Sequence, residues 1–236
     1  MDYFRNIVLV AAIAGVLAGL GMTVAQQLTT VPLILKAEVY EDQGATAAHD
    51  HGAAASPSAA HEHGDEGWQP ANGFERTAFS ALANIVTGVG FALLLIAASE
   101  LAGGITGWRQ GVFWGLAGFA VFTLAPSLGL PPELPAMPAA ELGARQLWWV
   151  ATALSAAAAL ALLFYGRSPL AIVAAVALLV VPHLIGAPEP PSYDTPIPEG
   201  LHHSFVVAVV LTTLLFWLLL GGLAGLFRGR FIHASG

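Results

Sequence analysis

The chain contains no cysteine and a single lysine, Lys36. The first absence excludes disulfides, zinc–thiolate sites, iron–sulfur clusters and any thiol nucleophile. The second leaves no phosphate-loop lysine, and so no nucleotide-hydrolysing motor. Charge is scarce throughout: charged residues make up 10% of the chain, against roughly a quarter in an ordinary globular domain. Basic residues are outnumbered eight to fifteen by acids, which makes nucleic acid a poor partner. There is no Gly-x-Ser-x-Gly turn, no His-Glu-x-x-His pair and no paired-carboxylate pattern, so no catalytic constellation is expected and the chain does not read as an enzyme. What is abundant is apolar. Hydrophobic residues reach 56% and the mean hydropathy is +0.72, so most of the chain must face lipid.

A bilayer core takes about 20 apolar residues per helix. Six stretches meet or approach that length, at about 7–25, 78–98, 111–130, 147–165, 170–185 and 205–227. The expected fold is all-α, a polytopic transmembrane helix bundle of about six spans in one integral membrane domain. The fifth stretch is the shortest, with Pro182 and His183 interrupting its end. Only Gly166 to Pro169 separate the fourth from the fifth, which predicts a tight antiparallel hairpin. The first is read as a retained span. Arg5 before the apolar run, with small residues at Thr23 and Ala25, is also compatible with a cleaved signal peptide. Glycine pairs four residues apart, Gly15/Gly19, Gly111/Gly115 and Gly221/Gly225, offer flat faces on which helices can approach closely.

Basic residues favour the cytoplasmic ends of spans. With both termini inside, the inner ends hold Arg5, Arg109, Arg167, Arg228 and Arg230, and the outer loops hold Lys36, Arg76 and Arg145. That arrangement puts all the acids but Asp2 and Glu100 outside or at outer helix ends, with every histidine but His233. The sequence therefore predicts a chain that turns its titratable groups toward one compartment.

The focus of this asymmetry is the segment from about Gln26 to Thr77, whose centre, 41–70, reads as a flexible, disordered His/Asp/Glu-rich external loop. A His-acid-His-Gly unit occurs in it twice, as His49-Asp50-His51 and His61-Glu62-His63, twelve residues apart. Neutral imidazole and carboxylate are ligands for first-row divalent ions, and two such arms on a loose linker can close around one ion. A second candidate group is His183, His202 and His203, at the outer ends of the fifth and sixth spans. A loop stiffened by five prolines joins those spans. Their alternative role is structural, capping the sixth span and bonding a neighbouring helix. Glu100 reads as an interfacial charge or as an exit ligand, and Asn84 with Thr87 as a lined path or an interhelical bond. No span holds a chain of carboxylates for proton coupling.

Several motifs in one order carry a resemblance over nearly the whole chain. They are Gln26-Gln27, then Ala37-Glu38-Val39-Tyr40-Glu41, the His-rich loop, and Gly73-Phe74-Glu75-Arg76-Thr77. They continue with the run Leu124 to Pro135, Arg145-Gln146-Leu147-Trp148-Trp149, and Pro182-His183-Leu184-Ile185-Gly186-Ala187-Pro188. In these the chain resembles the predicted cobalt transporter subunit family CbtA. The resemblance implies a bacterial inner-membrane protein in cobalt uptake linked to cobalamin synthesis, working with a small single-span subunit of the CbtB kind. It departs in two places. The family is often described with five spans, and its Leu-Pro-Gly-Met stretch stands here as Leu134-Pro135-Ala136-Met137.

The expectation is a permease subunit that captures a divalent metal outside, cobalt first with nickel or zinc as alternatives, and passes it inward. The metal is cargo, and no tightly bound cofactor is expected. His49, His51, His61 and His63, with Asp50 and Glu62, would scavenge the ion for a mouth near His183, His202, His203 and Glu133. The rival expectation is a non-transporting accessory subunit packed on a larger membrane complex.

Overall fold

A computed structural model of the chain describes residues 2–50 and 70–232, with side chains over 3–41 and 70–231. Among the described residues everything regular is helical. The order is α1 (Asp2–Leu28), α2 (Val31–Asp50), α3 (Phe74–Glu100), α4 (Trp108–Phe119), a π-helical segment (Ala120–Leu124), α5 (Ala125–Ser127), α6 (Leu142–Tyr165), α7 (Pro169–Ile185) and α8 (Glu199–Ile232). Four helices, Tyr3–Leu28, Phe74–Glu100, Leu142–Tyr165 and Glu199–Phe231, are long and apolar enough to cross a bilayer by length and composition. The third expected span runs through α4, the π segment and α5 without a break in the helical backbone. The fifth is the 17-residue α7, about 25 Å long and so a little short for a bilayer core.

Glycine decides how the bundle packs. Gly15 lies on Gly88 and Val89 of α3, and Gly19 on Asn84 and Ile85. Gly111 and Gly115 meet Gly221, Gly225 and the Trp217 carbonyl of α8 at backbone contact. Around these crossings sits a core of Val10, Ala14, Ala18, Ala92, Ile96, Phe119, Trp217 and Leu220, joining α1, α3, α4 and α8. The large exposed side chains are mainly apolar, among them Leu82, Val86, Phe113, Leu154, Leu170 and Leu211, as a lipid-facing surface requires.

The α6–α7 hairpin forms as expected, but Pro182 does not interrupt α7, which continues to Ile185. Proline has no N–H for the carbonyl four residues back. The Leu178 carbonyl so released accepts instead from Ser155 Oγ on α6 at 2.7 Å. The Pro182 carbonyl in turn takes the Gly186 N–H and the Trp148 indole N–H, at 3.2 and 3.3 Å. In lipid no water can do this, so the proline and its two helix-α6 donors act as one unit. The π segment has a related origin. Pro126 cannot donate to the Phe122 carbonyl and its ring crowds it. The helix widens by one residue, and the Ala125 N–H reaches back five residues to the Ala120 carbonyl.

The segment from Gln26 onward also departs from the loop expected there. Its first part is α2, and helical backbone runs on through 41–50, which were expected in a flexible loop. The apolar run Val31–Leu35 gives α2 a face to bury. Ala37, with Leu33, Ile34 and Tyr40, packs on Leu134, Ile197 and Phe205. The Arg76–Glu38 ion pair, at 2.6 Å, ties α2 to the start of α3. Together with the connections 128–141 and 186–198, α2 forms a cap over one end of the bundle. In this cap Glu141 N-caps α6, accepting the Gly143 and Ala144 N–H groups, and those bonds hold its carboxyl below the usual range.

Ala136 has φ +64, a left-handed conformation and the one positive φ among the described non-glycine residues. Ala136→Gly is therefore expected to stabilise the protein by about 1 kcal/mol, relief of strain less the glycine entropy cost. A thermal melt in detergent checks this. An unchanged or lower midpoint would contradict it.

Candidate functional site

Polar side chains inside the bundle are few, and they gather in the half nearer the cap. Asn84 of α3 donates both amide protons to α1, to Thr23 Oγ1 at 3.0 Å and Gln26 Oε1 at 2.7 Å. Gln27 Nε2 donates to Thr77 Oγ1 at 3.1 Å, and Thr29 and Thr212 share a hydroxyl bond at 3.0 Å. Beside this seam is a cavity of about 140 Å³ between α1, α3, the π segment and α8. Its polar lining is Asn84, Thr87, Thr123 and Thr213, with the Met22 thioether.

The remaining wall is aromatic. Phe91 of α3, Phe122 of the π segment and Phe216 and Trp217 of α8 also border the cavity. Phe122 stacks on Trp217 at 5.7 Å, and Phe91 lies 5.1 Å from Phe122 and 4.9 Å from Trp217. This cluster and the buried Leu95, Ile96 and Ile105 fill the bundle toward its other end.

That other end is closed by an ionic network. Arg228 of α8, only 6% exposed, donates through Nε and Nη2 to Glu100 Oε1, both at 2.8 Å. Its Nη1 donates to the Ile105 carbonyl. Tyr3 Oη of α1 donates to the second Glu100 oxygen at 2.6 Å. Three helices and one loop thus meet at one guanidinium. Gly104, at φ +80, lies against that guanidinium, and any Cβ there would collide with it.

The histidines expected to ligate metal fall into two sets. His49, Asp50, His51, His61, Glu62 and His63 lie outside the residues whose side chains are described. His183 is half-buried with its ring edge-on to Trp148 at 5.8 Å. His202 Nε2 bonds the Pro132 carbonyl at 3.1 Å, and His203 is exposed. Glu133 pairs with Arg145 at 3.0 Å. Among the described residues no three His, Asp or Glu side chains converge as a metal site.

The family model of the probable cobalt transporter subunit CbtA matches residues 4–229, nearly the entire chain. The chain belongs to the CbtA family. No curated protein and no solved structure matches it.

This CbtA-family bundle carries its described carboxylates on α2, at helix ends and in connections. Apart from the Arg228–Glu100 pair, its interior polar groups are neutral amides and hydroxyls. Sequence reasoning picked out Asn84 and Thr87 but not Thr123, Thr213 or Met22. The signal for Thr123 was Pro126, three residues on, which opens the π turn that carries it. Arg228 was read only as one of the inner-end charges. Its buried pairing with Glu100 needs the 128-residue separation between them to be closed by folding.

Proposed function

We propose that the chain is the permease subunit of a divalent-metal importer, with cobalt as cargo. In this reading both termini are cytoplasmic in a bacterial inner membrane, about six helical segments cross it, and the cap faces the periplasm. His49, Asp50, His51, His61, Glu62 and His63 capture the ion there. His183, His202 and His203, with Glu133, serve as single relay points at the cap, since no three of them meet. A small single-span subunit of the CbtB kind works beside the bundle. The observation that carries the reading is the family match over residues 4–229, joined to an all-helical apolar bundle with a polar interior near one end.

The test is isotopic cobalt uptake in a cobalt-starved host expressing the chain with its partner subunit. Replacing all four loop histidines with alanine is expected to lower uptake from dilute cobalt on the order of tenfold, the factor that 1.4 kcal/mol of capture affinity represents. Uptake from saturating cobalt should change little. Imidazole ligates only when neutral, so wild-type capture should weaken as pH falls through about 6.5. The four-alanine variant should lose that pH dependence. Equal uptake by the two proteins at low cobalt would remove the loop from the mechanism.

A further inference from the structure

We propose that the contact between α6 and α7 is a two-position latch. When α7 shifts toward the cap, the Leu178 carbonyl passes from the Ser155 hydroxyl to that of Thr152, and Pro182 and His183 move away from Trp148.

One hydroxyl carries the proposal. Thr152 of α6 is only 2% exposed, and its Oγ1 has no hydrogen-bond partner among the described residues. Threonine in an apolar helix normally bonds the carbonyl one turn back. Thr23, Thr29 and Thr213 all do so here, to the Gly19, Ala25 and Val209 carbonyls. A buried hydroxyl left unbonded is costly, and inside a bilayer no bulk water relieves it. A second arrangement of its neighbours, in which the hydroxyl is used, accounts for it.

Those neighbours supply the arrangement. Thr152 stands one turn from Trp148 and one turn from Ser155, and both of these donate to α7, at the Pro182 and Leu178 carbonyls. The Leu178 carbonyl is free to change partner because Pro182 offers it no backbone N–H. Its present bond is to a side chain, and serine and threonine are donors of one kind, so the two positions differ little in energy. Because α6 begins at the cap, Thr152 lies nearer the cap than Ser155. Helix shifts of about 1–2 Å are a common switching movement, and one of that size, with both hydroxyls turning about χ1, exchanges the donors.

The packing shows which helix moves. α6 is anchored on the π segment, where Ala153 and Ala156 pack against Val121. Against that, Leu170, Ile172, Val173 and Val176 of α7 are exposed. The bond from the Trp148 indole to the Pro182 carbonyl is long, at 3.3 Å, and gives way first. His183, next along from Pro182, has its ring edge-on to Trp148 at 5.8 Å, and the same shift parts the two rings.

The experiment uses the full chain in detergent and needs no cargo, so its outcome is separate from that of the transport reading. Thr152→Val keeps the shape and removes only the unbonded hydroxyl, so the thermal midpoint should not fall. Ser155→Ala should lose only about 2 °C, because Thr152 takes over the Leu178 carbonyl. Thr152→Val/Ser155→Ala leaves that carbonyl without a donor and should lose about 6 °C, well beyond the sum of the single changes. Thr152→Ser/Ser155→Ala keeps the hydroxyl and should match Ser155→Ala, which a role for the threonine methyl alone would not produce. Fluorine resonance of the chain labelled with 5-fluorotryptophan follows the movement, with the Trp148 line assigned from Trp148→Phe. Ser155→Ala should displace or split that line by more than its width. Additive midpoints, or a Trp148 line that Ser155→Ala leaves in place, would overturn the latch.

Discussion

Leucine at Gly111 or at Gly221 is expected to drive α4 from α8 and prevent the bundle from assembling. A Cβ on Gly111 would strike the Gly221 carbonyl and come within 3.0 Å of the Gly225 Cα; one on Gly221 would come within 2.8 Å of the Gly115 Cα. The obstacle is backbone on both sides, so no side-chain rotation relieves it. Overpacking a well-filled core costs about 1–3 kcal/mol even where side chains can shift, and this contact should exceed that range. The core on α8, with Trp217 and Leu220, would open in the same movement. Gly90→Ala provides the comparison, because nothing lies within 4 Å of the Cβ it adds. Monodisperse yield in detergent should collapse for the leucine variants and hold for Gly90→Ala. A well-folded Gly111→Leu protein would show that the α4–α8 crossing is misplaced.

The second large effect is at Arg228. Arg228→Met strips Glu100 of its ion pair and the Ile105 carbonyl of its donor, in a place only 6% exposed at the arginine. Removing one member of a buried pair costs about 3–5 kcal/mol. The lower end applies here, because 26% of the Glu100 side chain stays open to the surface. A loss of about 3 kcal/mol lowers the thermal midpoint by roughly 10 °C for a chain of this size. The paired change Glu100→Leu/Arg228→Met should recover much of it, since an apolar pair of similar volume needs no counter-charge. A single variant as stable as the wild type would mean that the network is solvated and closes nothing.

These two sites differ in how far they could be read from the chain. The glycine spacing at Gly111/Gly115 and Gly221/Gly225 is a local pattern with one physical use, and the pairs do pack on each other. Gly88, the partner of Gly15, is a lone glycine in its helix register and left no comparable mark. The positions of the apolar helices were legible because hydropathy over about 20 residues averages out local detail. Exceptions came where a single residue changes the hydrogen-bond count. Pro182 looked like a helix end because its rescue comes from Ser155, 27 positions earlier. Pro126 marked a disturbed turn, but not that the helix would widen rather than break. The helix α2 was taken for loop because half its length is small and polar, and its stability comes from Leu134, Ile197 and Phe205 far along the chain. The same limit hid Arg228 and the cavity, since both are assembled from three or more helices.

The central claim is that the histidine- and acid-bearing end of the bundle meets the ion first, from outside the cell. Because the chain has no cysteine, single cysteines can report sidedness on an otherwise silent background. Ser56→Cys in the loop and Ser192→Cys in the cap should react with a membrane-impermeant maleimide on intact cells, after the outer membrane is made leaky. Ser235→Cys should react only once the inner membrane is opened. Labelling of Ser235→Cys on intact cells, with Ser56→Cys and Ser192→Cys protected, would contradict the import route.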